Sequence, residues 1–166
     1  MASGDTIFVW DAQAARPPGA DYATLDVRNG HVVLDFDDAN SESADFFGIA
    51  PSNCSDANGQ TAVLTWATTS ATSGNVVWKV EVERHEPDSA FDLDSNSFPV
   101  SVSVTTGVPS QSGVVRQSTL AISVSEIDDL PHAGESFRLR ITRDSENASD
   151  TVSGDVELLA VELRES

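Results

Sequence analysis

The chain has 166 residues, the size of one domain at the usual ratio of roughly 100–200 residues per domain. It carries 27 acidic residues against 9 basic ones, a net charge of −18 at pH 7, which argues against a nucleic-acid or anionic-lipid partner because both need a cationic surface. Apolar residues make up 39% of the chain, enough for one core, and no apolar run approaches the roughly 20 residues that span a bilayer.

The opening Met1-Ala2-Ser3-Gly4-Asp5 lacks the basic, apolar and small-residue order of a signal peptide. A short apolar run at 7–10 then precedes Arg16-Pro17-Pro18-Gly19, which cannot lie in a central strand. Residues 1–20 therefore read as an extended arm, with Trp10 exposed on it, and residues 21–166 as the folded domain. On this expectation Trp10, Arg16, Pro17 and Pro18 form an interface that clasps a neighbouring subunit, since Trp is enriched at interface hot spots. Removing residues 1–20 should then leave a folded domain.

Strand signals follow at 22–28 and 32–36, joined by Asn29-Gly30, a pair that tolerates the positive φ values of a type I′ hairpin turn. Further candidates are 44–49 and 61–67, separated by a polar loop at 52–59. In 75–84 the residues Val76, Trp78, Val80 and Val82 share one face, while Lys79, Glu81 and Glu83 share the other, a period of two. After 100–105, the run 118–125 puts Leu120, Ile122 and Val124 on one face, and one helical turn is expected with Ser125 as N-cap, Asp128 three residues on and Pro131 beyond its end. Residues 136–143 alternate Phe137, Leu139 and Ile141 with Arg138 and Arg140. The last run, 155–164, changes phase between Leu158 and Leu159, as a β-bulge or a change of sheet would make it. Reversals are marked by Ser73-Gly74, Thr106-Gly107 and Ser153-Gly154. About nine or ten strands, each with one dry and one wet face, and one short helical turn describe an all-β antiparallel β-sandwich of jelly-roll type.

Little in the chain announces chemistry. Cys54 is the single cysteine, so no internal disulfide can form, and His31, His85 and His132 stand far apart with no paired zinc-ligand spacing. No nucleophile elbow, phosphate loop or His-Glu-x-x-His pattern occurs, and the expectation is a protein that is not an enzyme and holds no cofactor. Asp92, Asp94 and Asn96 alternate as in calcium loops, yet Ser97 and Ser103 stand where such loops need Gly and an acid, so a solvated acidic loop is the stronger reading. Asp35, Asp37, Asp38, Glu42 and Asp45 form a second acidic group that could hold a cation between strands, though the wet side of a hairpin explains it as well. For sugar stacking, Trp10, Tyr22 and Trp66 come into question; Trp66 shares its phase with Leu64 and points inward, as does Trp78. Seventeen of the acids are Asp, and the cations are eight Arg and Lys79. Saline surroundings, where a screening length of ~3 Å at 1 M salt removes self-repulsion, and a GC-rich genome explain this equally.

Five stretches taken together carry a resemblance: Tyr22-Ala-Thr-Leu-Asp-Val-Arg-Asn-Gly-His-Val-Val-Leu-Asp-Phe-Asp37, Trp66-Ala-Thr-Thr-Ser-Ala-Thr-Ser-Gly-Asn-Val-Val-Trp78, Phe91-Asp-Leu-Asp-Ser-Asn-Ser-Phe98, Gly134-Glu-Ser-Phe-Arg-Leu-Arg-Ile-Thr-Arg-Asp144 and Gly154-Asp-Val-Glu-Leu-Leu-Ala-Val-Glu-Leu-Arg-Glu165. The chain resembles small jelly-roll virion structural proteins of tailed bacteriophages, although its 52–59 loop departs from the Gly-rich form of that group. The resemblance implies a capsid decoration (cement) protein made in the host cytoplasm. Such a protein sits on the capsid exterior of the virion, bound to the major capsid protein and to itself as a homotrimer. The alternative it leaves open is a receptor- or carbohydrate-binding module of a tail fibre or other appendage.

Overall fold

The computed structural model describes residues 1–55, 59–89, 91–95, 97–125 and 130–166. Among the described residues ten strands occur in chain order: β1 (Thr6–Asp11), β2 (Thr24–Arg28), β3 (His31–Phe36), β4 (Glu42–Ile49), β5 (Gln60–Thr68), β6 (Asn75–His85), β7 (Ser101–Gly107), β8 (Arg116–Ile122), β9 (Ser136–Arg143) and β10 (Val156–Glu165). One sheet runs β2-β3-β10-β5-β8, with β1 joined to β10, and the other runs β4-β9-β6-β7. Every strand pairing within the two sheets is antiparallel. The all-β jelly-roll sandwich read from the sequence is the observed architecture.

Period-two patterning decides which residues meet between the sheets. Val76, Trp78, Val80 and Val82 of β6 and Phe137, Leu139 and Ile141 of β9 are all buried. They face Leu34, Phe36, Leu64, Trp66, Leu158, Val161 and Leu163 of the six-stranded sheet. Trp78 makes edge contacts with Phe36 and Trp66 across the interlayer space, at centroid distances of 5.2 and 6.1 Å. Val124, expected to continue the inward row of Leu120 and Ile122, is exposed because β8 ends at Ile122. Asn29 and Gly30 adopt φ of 47° and 81°, as the two-residue turn requires.

The phase break in the last strand is a bulge: Leu158 pairs with Trp66 and Ala160 with Thr65, so Leu159 is the extra residue. The bulge divides β10 between two neighbours. Its residues 156–158 pair with β3, and residues 160–164 pair with β1.

Residues 1–20 do not form a free arm. The run 7–10 is part of β1, and Trp10 is only 7% exposed. Its ring stacks on Phe8 at 4.9 Å, approaches Phe46 and Phe137, and its Nε1–H donates to the Phe47 carbonyl at 3.1 Å. Trp10 thus ties the six-stranded sheet to β4 of the other and cannot also offer its ring to a neighbouring subunit. The close approach depends on Gly48, where a Cβ would lie 2.8 Å from Phe8 Cζ. Asp11 caps a single 3-10 turn at Ala12–Ala14 through bonds to the Gln13 and Ala14 amides. The helical turn expected between Ser125 and Pro131 falls on residues 126–129, outside the described ones. Arg16 continues along the body, exchanging backbone hydrogen bonds with Asp45 and placing its guanidinium 4.6 Å from the Phe47 ring centre. Pro17 is exposed and Pro18 half-buried beside it.

Candidate functional site

The solvent face of the four-stranded sheet carries most of the unusual chemistry. Cross-strand register aligns its outward side chains in rows: Asp45–Arg140–Glu81, Phe47–Arg138–Glu83 and Ile49–Ser136–His85. Opposite charges directly across a pair attract, and here they form forks. Arg140 donates to both Asp45 carboxylate oxygens at 2.6 and 2.9 Å, while Arg138 donates through Nε and Nη2 to Glu83 at 2.8 and 2.7 Å. Asp45 and Glu83 are each only 3% exposed, rare for carboxylates on an outer face. Phe98 lies over the two arginines, its ring centre 4.4 Å from the Arg138 guanidinium and 4.5 Å from that of Arg140. Burial pushes the neighbouring Glu81 carboxyl above its usual range, against the pull of Arg140 and Lys79.

Beside this network is a hollow of about 150 Å³ lined by Phe47, Glu83, His85, Phe91, Leu93 and Arg138. His85 is held from both sides, by Ser136 Oγ at 3.1 Å and the Glu83 carboxylate at 3.4 Å, and its ring packs 4.9 Å from Phe91. Leu93 is 82% exposed at the lip. The hollow opens into a trough of about 690 Å³ between the sheet end and the loop carrying Glu86, Ser89, Asp92 and Asp94. Apolar ring edges next to rigid, paired hydrogen-bonding groups suit a ligand with a dry face and a rim of hydroxyls. Glu83 and Asp45 both accept hydrogen bonds from guanidinium groups, which fix the positions of their carboxylate oxygens.

Of the residues singled out from sequence, His85, Asp45, Asp92 and Asp94 belong to this face or its border, and the others lie elsewhere. Trp66 and Trp78 are core, as expected, and Trp10 joins them. Tyr22 is exposed on the far side of β4, in an isolated bridge to Ser43. Asp92 and Asp94 border the trough, but the Asp92 carboxylate is taken by the Asp94 amide and the Ser95 hydroxyl at 3.1 and 3.0 Å, and these bonds lower its pKa. Asn96 lies outside the described residues. The second acidic group divides: Asp45 belongs to the arginine network, whereas Asp37 and Asp38 meet Asp155, with carboxylate oxygens within 4.8 Å of one another. That trio could hold a cation, and Asp38 already accepts from the Gly154 amide at 2.5 Å. Phe47, His85, Phe91 and Leu93 were not legible as a group, because Phe47 and His85 stand on strands far apart in sequence and the loop that brings Phe91 and Leu93 to them has no period. The available signal was the opposed charge rows, Lys79-x-Glu81-x-Glu83 against Arg138-x-Arg140.

On the other sheet, burial drives the Asp35 carboxyl up to about 6, reinforced by Asp155, Glu157, Asp26 and Glu42. Burial also raises Glu42 and Asp155. A carboxyl that binds its proton more tightly folded than unfolded adds stability on acidification, which is lost as pH rises from its ordinary value through its folded one. The protein is therefore expected to melt a few degrees higher at pH 5 than at pH 8 at fixed ionic strength, since each kcal/mol moves the midpoint by about 2–4 °C at this size. Asp35→Asn should flatten that dependence in scanning calorimetry. An unchanged slope in the variant would remove Asp35 as its source.

Two layers of antiparallel strands with bulged, bridging terminal strands define a jelly-roll β-sandwich domain. No family model matches the chain, and no curated protein matches its sequence. Solved structures do match in shape. The CBM22-1 xylan-binding domain of Paenibacillus barcinonensis Xyn10C aligns at a TM-score of 0.53 and 12% identity, over 100% of this chain and 99% of that one. A xylan-binding module, CBM15, aligns at 0.51 and 12% over 96% and 97% of the two chains. A cycloisomaltooligosaccharide glucanotransferase from Paenibacillus sp. aligns at 0.50 and 11% over 95% of this chain, which spans 18% of that longer one. At these identities the likeness is one of fold.

Proposed function

We propose that this chain is a non-catalytic carbohydrate-binding module that holds a neutral polysaccharide against the outer face of its four-stranded sheet. The observation that carries the reading is the hollow formed by Phe47, His85, Phe91 and Leu93 beside the Glu83–Arg138 fork. A sugar ring offers a C–H face to the aromatic and aliphatic groups and equatorial hydroxyls to Glu83, Arg138 and Ser136. Two of the matched folds are those of xylan-binding modules, which makes xylan the first ligand to try. In a tailed-phage particle this is the appendage role, recognition of a surface glycan, rather than capsid decoration.

The test is affinity electrophoresis through gels containing xylan, cellulose derivatives or β-1,3-glucan. Wild-type protein should be retarded by at least one of them. Phe91→Ala should weaken the retardation roughly tenfold, because losing one aromatic contact removes on the order of 1 kcal/mol or more. Equal mobility of wild type and variant in every gel would refute this placement of the ligand.

A second reading, decoration of a capsid lattice as a homotrimer, draws on a different surface. A hollow of about 180 Å³ lined by Ala15, Arg16, Pro17, Tyr22 and Leu25 lies where edge strand β2 overhangs the opposite sheet, and Leu25 and Val27 are exposed there. Attachment through this edge predicts a copy number per particle that matches the capsid lattice, counted by quantitative mass spectrometry of purified particles.

A further inference from the structure

The wet face of the six-stranded sheet is not uniformly wet. Val33 on β3 and Ala67 on β5 point outward from the core there yet are 2% and 4% exposed. With Leu159, the bulge residue of β10, they floor a cleft of about 320 Å³ walled by Val115, Gly113, Arg28, Asn29, His31 and Glu157. That volume falls within the ordinary range for small-ligand pockets, about 300–1,000 Å³.

The walls are rigid. Arg28 closes one end, donating to Glu157 and to the Thr68 and Thr69 carbonyls at 2.9 and 3.4 Å. Gly113 lies so close above the guanidinium that a Cβ would come within 2.9 Å of Nη2, and its φ of +75° favours glycine independently. Gly113 also donates its amide to the Thr68 carbonyl at 3.0 Å, fixing the wall that leads to Val115. Leu158 faces the core, so strand alternation turns Leu159 to the opposite face and into the cleft, and the extra residue then restores the inward phase for Val161 and Leu163.

Charge selects the occupant. The two ionic groups of the lining are paired with each other, so the cleft is electrically balanced within a chain of net charge −18. Arg28 is already committed to a carboxylate and two carbonyls and offers no free cation to an anionic ligand. Asp26 and Asp35 flank the same face, pairing with Val33 and Thr24 across the β2–β3 ladder, and add repulsion toward anions. An apolar floor with His31, Asn29 and Glu157 at the rim fits an uncharged ring bearing hydroxyls.

We propose that this cleft is a second saccharide site, which takes a neutral glycosyl residue on the sheet opposite the Phe47–Phe91 hollow and makes the module bivalent. The inference rests on the carbohydrate reading but not on the same residues. Two sites on opposite faces cannot grip one straight chain side by side. They cross-link separate chains or branches, and avidity then exceeds either single affinity.

Isothermal titration with xylohexaose, cellohexaose and laminarihexaose separates the two claims. The account expects two sites per wild-type chain for the oligosaccharide that binds. Val115→Trp, an exposed substitution that fills the cleft, should leave one site, and His31→Ala should weaken that site at least tenfold while the other is unchanged. Phe91→Ala should weaken the hollow's site roughly tenfold and leave the cleft site unchanged. One site in the wild type, weakened by Phe91→Ala and untouched by Val115→Trp, overturns the second site and keeps the first. Two sites that both survive Val115→Trp overturn the cleft assignment. No heat with any of the three overturns both.

Discussion

Arg143→Ala is expected to destabilise the fold by about 3–5 kcal/mol, the cost of leaving a buried partner without its counter-charge. Arg143 is fully buried, and its guanidinium donates to the carbonyls of Phe36, Gly154 and Val152 and to both Asp150 carboxylate oxygens. Those acceptors belong to β3 and to the loop between β9 and β10. One side chain therefore anchors the loop that delivers β10 to the centre of its sheet. Its removal strands Asp150, itself nearly inaccessible, together with three carbonyls that have no water to replace the guanidinium. At this chain length the melting midpoint should fall on the order of 10 °C. Arg143→Lys keeps the charge but not the planar fork and should recover only part of the loss. Urea denaturation of the three proteins checks this, and a midpoint for Arg143→Ala within error of wild type would contradict it.

Trp10→Ala should cost a comparable amount, about 3–5 kcal/mol for a large buried aromatic. The ring contacts Phe8, Phe46 and Phe137 and bonds the Phe47 carbonyl, so the substitution opens a cavity and unlatches β1 from the second sheet. Deleting residues 1–11 should be worse, because it also exposes Leu163 and the free edge of β10 along 160–164. Such an edge invites pairing with other chains, so the truncated protein should aggregate where the full chain stays dispersed. Val9→Ser is the control on the same strand: its side chain points to solvent, and substitutions there usually stay within about 0.5 kcal/mol. Circular dichroism melts and light scattering on the three variants give the comparison. A well-folded, monodisperse truncation would mean that β1 adds little to the sandwich.

Much of this fold was legible because a half-buried strand writes its burial into alternate residues. Val76 to Val82 and Phe137 to Ile141 show it, and the slip of phase at Leu159 fits a bulge or a change of sheet, of which the β10–β5 register shows the bulge. Trp10 was not legible. A four-residue apolar run ahead of two prolines carries no phase strong enough to place it, and the space that admits Phe8 comes from Gly48, far away in sequence. The candidate site was hidden for a related reason. Lys79, Glu81, Arg138 and Arg140 look like an ordinary solvated face until the β6–β9 register sets Arg138 opposite Glu83. Phe91 and Phe98 come from a loop whose path over the sheet no local pattern encodes. Asp155 joins Asp37 and Asp38 across more than a hundred residues of chain, beyond the reach of spacing arguments.

Amide chemical-shift mapping during a xylohexaose titration, with cellohexaose and laminarihexaose in parallel, is the most direct test of the claim that this sandwich binds sugar on its four-stranded sheet. Saturable shifts are expected to cluster at Phe47, Glu83, His85, Phe91, Leu93 and Arg138. Spectra that stay unchanged through all three titrations, or shifts confined to the β2 edge around Tyr22 and Leu25, would contradict it.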